Sequence, residues 1–114
     1  MKILLDHNIP VQIRKHLQGH LVLTARSLGW ARLQNGELLK AAEVAGYQAM
    51  LTGDQKIVKQ QNNLTRQIAL VVVTRIDWPG LEEHIEEIRA ALDRAVRGGY
   101  ELVELPPRRA SRGR

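Results

Sequence analysis

Short aliphatic runs alternate with segments of helical character along the chain, and no other feature limits the possible folds as tightly. Residues 2–6, 20–24, 47–52, 67–74 and 100–105 read as strands, the fourth being the most β-branched and expected to be buried on both faces. Between the first two, a helix is expected from about residue 9 to Gln18, with Asn8 as its cap, Pro10 in its first turn and Ile9, Ile13 and Leu17 repeating every four residues before Gly19 stops it. Residues 26–34, carrying Trp30, are irregular or weakly helical. Asn35 opens a second helix whose stripe Leu38, Ala42, Ala45 faces the core, with Gly46 as its stop. A short helix over 54–61 and a polar loop at 60–63 precede the fourth strand. The clearest helix is 81–96, with the stripe Leu81, Ile85, Ile88, Leu92, Ala95, and Trp78-Pro79 stapling its start. Its acids lie early and its arginines late, as the macrodipole favours. A strictly alternating β-α order predicts an α/β fold of three layers, α/β/α, around a mainly parallel sheet of four to five strands with right-handed crossovers.

At 114 residues the chain has material for one core, here almost wholly aliphatic because Phe is absent. The absence of cysteine excludes disulfides, thiolate metal sites and a thiol nucleophile. The first residues run directly into a strand and the longest apolar stretch, 68–73, is far too short for a bilayer, so a cytoplasmic protein without membrane association is expected. The formal charge of +5 is concentrated at one end. Residues 106–114 hold Arg108, Arg109, Arg112 and Arg114 and no acid; without those four arginines the 17 Lys and Arg fall to 13, against 12 Asp and Glu. A domain over 1–105 with a disordered basic tail follows, the tail being either an arm for phosphates or a solubilising end.

Two acids close strand-like runs: Asp6 after Ile3-Leu4-Leu5, and Asp54 after Ala49-Met50-Leu51-Thr52-Gly53. In a parallel sheet both reach the C-terminal edge, where α/β proteins bind ligands. Paired carboxylates there call for a cation between them: a metal ion, a charge on the substrate, or a lysine.

The opening Lys2-Ile3-Leu4-Leu5-Asp6-His7-Asn8-Ile9-Pro10, the helix start Asn35-Gly36-Glu37-Leu38-Leu39 with Ala41-Ala42, and Leu51-Thr52-Gly53-Asp54-Gln55-Lys56 together resemble the short PIN-like domains, over residues 2 to 75. That resemblance implies an Mg2+- or Mn2+-dependent ribonuclease acting on RNA, of the kind found as toxins of toxin–antitoxin pairs, with an antitoxin protein as partner and a homodimer as a plausible assembly. Asp6 matches the family's first-strand acid, Asp54 the acid after the third strand, Asn8 the asparagine two residues beyond the first acid, and Thr52 the strand threonine. The sequence departs from the pattern at His7, Asn35 and Lys56, where acids are common in these domains.

Glu37 is then the remaining candidate for a third catalytic or metal-binding acid, its competing reading being a first-turn acid stabilised by the macrodipole. Lys56 could contact the scissile phosphate, insert between Asp6 and Asp54 in place of a metal, or simply be exposed. His7 is a candidate ligand or base, although strand alternation turns it away from the side of Asp6. Asn8, Asn35, Thr52 and Lys56 form the candidate substrate-binding set. Arg14, Lys15, Arg26 and Arg32 are either a phosphate-facing rim or scattered surface charges. A PIN-like domain that has lost catalysis and keeps RNA or protein binding is the alternative. A phospho-acceptor receiver, which also gathers acids at strand ends, fits less well because no lysine ends a late strand.

Overall fold

The computed structural model describes residues 1–57 and 66–107, the side chain of Asn35 excepted. The basic end beyond Pro107, the loop at 60–63 and the second half of the short helix expected over 54–61 lie outside the described residues. Five strands, β1 (Lys2–Leu5), β2 (Leu21–Thr24), β3 (Ala49–Thr52), β4 (Ala69–Val73) and β5 (Tyr100–Val103), form one sheet in the order β2-β1-β3-β4-β5. Every pairing is parallel. The three-layer α/β/α architecture expected from the alternating sequence is the one found.

Period-two alternation sorts the strand side chains into two cores. Ile3, Leu5, Leu51, Val71 and Val73 face one layer, where they meet Ile13, Leu17, Leu81, Ile88 and Leu92. Leu4, Met50, Leu70 and Val72 face the other, against Leu38, Leu39 and Ala42. Both faces are covered, which is why β3 and β4 are buried at every residue and carry no alternating polar positions. The edge strands β2 and β5 are the ones that mix exposed with buried residues.

Three helices depart from expectation. The first is a 3-10 helix, Val11–His16, and Pro10 rather than Asn8 precedes it with extended backbone. Asn8 is unavailable as a cap because its Oδ1 accepts the Gly53 N–H at 3.2 Å. Ile13 and Leu17 are nonetheless buried as the spacing requires, and Gly19 ends the segment at φ +93°, a conformation that favours glycine.

Helix α1 (Asn35–Val44) buries Leu38, Leu39 and Ala42, so its inner face is a broader stripe than expected, and Ala45, at its C-cap, is exposed. The Lys2 ammonium donates to the Ala45 carbonyl at 2.7 Å and lies 4.5 Å from the Tyr47 ring centre, closing the helix C-terminus with a cation.

The long helix expected over 81–96 is two helices. Helix α2 (Trp78–Glu83) starts earlier, with the Asp77 carboxylate accepting the Gly80 N–H at 3.0 Å, and His84 leaves helical geometry before α3 (Ile85–Arg94) begins. Leu81, Ile88 and Leu92 stay on the buried face across the break, while Glu82 and Glu83 end a helix instead of opening one. Trp78 packs against the core and faces the His16 ring at 5.5 Å, so α2 is docked on the first 3-10 helix.

Candidate functional site

In the order β2-β1-β3-β4-β5 the chain leaves β1 for a neighbour on one side and returns for β3 on the other. The loops at the C-terminal ends of β1 and β3 therefore part in opposite directions and leave a crevice, the usual ligand position of open α/β sheets. Asp6 follows β1, and Thr52, Gly53 and Asp54 end β3, so the pairing Leu5 with Leu51 sets Asp6 beside Thr52. The Asp6 N–H continues the ladder to the Leu51 carbonyl at 2.9 Å.

Thr52 is the fully buried polar side chain among the described residues, and its hydroxyl both donates and accepts. It donates to Asp6 Oδ2 at 2.6 Å and accepts the Asp54 N–H at 3.0 Å. Asp6 Oδ1 accepts the His7 N–H at 2.7 Å, so both carboxylate oxygens are aimed by short bonds and each keeps lone-pair capacity for one further partner. Asp54 Oδ1 accepts the Lys56 N–H at 3.0 Å, turning the chain sharply after β3. The bond from Gly53 to Asn8 ties the two loops together. A Cβ at residue 53 would sit 2.3 Å from Ile76 Cγ2, so a side chain there requires the partly exposed Ile76 to move.

From Asp6 a cleft of about 720 Å³ opens toward β2, with His7, Val11, Thr24, Arg26 and Gln34 among its walls. Thr24 shapes the far wall: its hydroxyl accepts the Ser27 N–H at 3.0 Å and its carbonyl accepts the Ser27 hydroxyl at 2.9 Å, bracing the 3-10 turn Arg26–Leu28. Arg26 is exposed in this cleft and forms no ion pair with any described residue. His7 shares the cleft with Asp6, contrary to the alternation argument, because residue 7 lies past the end of β1 in a turn closed by Ile9 N–H to the Asp6 carbonyl. Its Nε2 is 2.7 Å from the Leu33 carbonyl, an acceptor only, so this nitrogen carries the proton.

Not every residue singled out in the sequence joins this group. Glu37 lies on the outer face of α1, exposed in a shallow apolar groove with Trp30, Leu33, Lys40, Ala41 and Val44. Burial of the adjacent Leu38 and Leu39 fixes the helix rotation and turns residue 37 outward. Among the described residues no three His, Asp or Glu side chains are grouped so as to hold a metal, so the trio Asp6, Asp54 and Glu37 is not assembled. Asn35 is the first residue of α1, and its side chain lies outside the described residues. Lys56 is exposed and forms no ion pair with Asp6 or Asp54. Asn8 and Thr52, read as substrate-binding, also hold the two loops in place. Trp30 packs on the second core with its ring edge-on to Tyr47, centroids 6.1 Å apart.

One polar group escaped the sequence reading. Arg75 grips Asp77 through Nε at 2.9 Å and a second nitrogen at 2.6 Å, and donates to the Pro106 carbonyl at 2.9 Å, joining the end of β4 to the segment after β5. Hydrogen bonding to Arg75 is the main cause that holds the Asp77 carboxyl down at about 2. The signal available was Asp77 immediately before Trp78-Pro79, a capping residue ahead of a first-turn proline.

No protein-family model, curated protein or solved structure matches the chain. Among the described residues no helix is long and apolar enough to cross a membrane.

Proposed function

We propose that the chain is a PIN-like, Mg2+- or Mn2+-dependent ribonuclease whose reaction takes place at the crevice between β1 and β3. The observation that carries this reading is the hydrogen-bonded chain Asp6–Thr52–Asp54, which fixes a carboxylate at the mouth of a cleft that also holds Arg26, an arginine without an ion-pair partner among the described residues. The donor set suits a hard cation: carboxylate oxygens with lone pairs to spare, and Mg2+ is commonly held by one or two carboxylates plus waters and substrate phosphates. Asp6 would be its principal ligand and Asp54 the second. When bound, such an ion polarises the scissile phosphate and lowers the pKa of an attacking water. The chain's own residues orient: Thr52 and the His7 N–H lock the Asp6 carboxylate, and Arg26 offers a guanidinium for a phosphate across the cleft. A toxin role, with an antitoxin covering this edge in the cytoplasm, belongs to the same proposal.

The test is cleavage of labelled RNA by wild type and Asp6→Asn with Mg2+, Mn2+ or chelator, alongside calorimetric titration of the ions with and without a non-cleavable RNA. Metal-dependent cleavage by wild type alone is expected; equal cleavage by pure Asp6→Asn refutes it. The outward placement of Glu37 favours a second reading, a PIN-like domain that binds RNA or a protein without cutting. RNA binding with no cleavage and no ion uptake by wild type would select that reading.

A further inference from the structure

The charges of the folded part are segregated along the chain. Residues 1–36 contain five Lys and Arg (Lys2, Arg14, Lys15, Arg26 and Arg32) and one acid, Asp6, whereas residues 77–104 contain eight acids and three arginines. Two of these cations, Arg14 and Lys15, flank a groove. Between the 3-10 helix Val11–His16 and the edge strand β2 lies a depression of about 660 Å³ whose walls include Arg14, Lys15, His20, Leu21 and Val22 and no Asp or Glu. Val11, half exposed, belongs both to this groove and to the Asp6 cleft, so the two depressions meet at one side chain. Neither Arg14 nor Lys15 has an ion-pair partner among the described residues. Cations left unpaired along an open groove are suited to a polyanion, and the aliphatic floor of Val11, Leu21 and Val22 gives a surface for base or sugar faces.

We infer that the groove between the Val11–His16 helix and β2 is a track for the flanking phosphates of a single-stranded nucleic acid, which enters the Asp6 cleft across Val11. Arg14 and Lys15 contact phosphates outside the crevice, and Arg26 contacts the one nearest Asp6. This rests on the nucleic-acid part of the proposed function and not on its cleavage step.

The experiment is fluorescence anisotropy with a labelled single-stranded RNA of about a dozen nucleotides, in chelator, on the full chain with its basic end intact. Wild type is compared with Arg14→Gln/Lys15→Gln and, as a control outside the groove, with Arg89→Gln/Arg94→Gln, all checked for folding by circular dichroism. The first pair is expected to weaken binding about tenfold at 0.1 M salt and to flatten the slope of log K against log salt by about 1.4, two single-strand phosphate contacts at about 0.7 each. The control pair is expected to leave both unchanged. Equal loss in the two pairs, or none in the first, overturns the track, as does competition by poly-glutamate as strong as that by unlabelled RNA, which would make an acidic protein the occupant. Single-stranded DNA of the same sequence reads the sugar: tighter RNA binding assigns the track to ribose strands, and equal binding to phosphates alone. Because chelator removes the chemistry, loss of binding in a protein that never cleaves upholds the track and sinks the nuclease. Cleavage with unaltered binding does the reverse.

Discussion

The hydroxyl of Thr52 donates to Asp6 at 2.6 Å while accepting the backbone N–H of Asp54 at 3.0 Å, so one buried side chain sets the position of both acids at the sheet edge. Removing it strands a carboxylate oxygen and an amide. Thr52→Val is expected to cost about 1–3 kcal/mol in urea unfolding. Thr52→Ser, which keeps the hydroxyl and loses a methyl, is expected to cost about 1 kcal/mol. Equal stabilities for the two variants would show that packing, not the hydroxyl, holds this position.

A side chain at Gly53 fits only if Ile76 moves. Gly53→Ala is expected to destabilise by about 1–3 kcal/mol through overpacking. In the double variant with Ile76→Ala, the total should fall short of the sum of the singles, a coupling that a thermodynamic cycle reads directly. Strict additivity would place the strain elsewhere.

The Arg75–Asp77 pair makes stability depend on pH at the acid end. The Asp77 carboxyl sits at about 2 against an ordinary 3.8, so its contribution is complete above pH 4 and is lost as pH falls through about 2. With its side chain one-third exposed (34%), the contribution is about 1 kcal/mol after solvent screening. Denaturation curves from pH 5 to pH 2 should therefore be flatter for Asp77→Asn than for wild type. Parallel curves would remove Asp77 from the account of acid sensitivity.

Lys56 offers a gain-of-function test of the proposed ion site. Its N–H is bonded to Asp54, so a carboxylate at this position lies close to the site, and Lys56→Asp is expected to tighten Mn2+ binding about tenfold, about 1.4 kcal/mol. Unchanged affinity measured by calorimetry would count against Asp54 as a ligand.

The sheet was legible in the sequence because parallel strands buried on both faces must be continuous aliphatic runs, and β3 and β4 are such runs. The register that brings Asp6 to Thr52 was legible only as two acids at strand ends; the threonine linking them was recognisable by family resemblance and not by pattern. Glu37 misled because helical periodicity defines a stripe but leaves its rotation free by a residue, and Leu39 in place of Ala45 on the inner face is enough to turn residue 37 outward. The break at His84 left no mark, since the apolar spacing of Leu81, Ile88 and Leu92 runs through it unchanged. The basic groove was hidden for another reason: net charge sums over a surface, and only the fold lines one groove with Arg14, Lys15 and no acid.

The strand order β2-β1-β3-β4-β5 also governs how the sheet can be assembled as the chain grows. β2 and β3 take the two free edges of β1, and β4 and β5 are each laid against the strand made just before. No strand has to be threaded between two that are already joined, so once β3 is in place the sheet enlarges by accretion at a single advancing border. The hydrogen bonds that shape the crevice all lie within the first 56 residues, and the later acidic helices cover one face of the sheet. The bonds that shape the crevice come early in this chain and the covering helices come late.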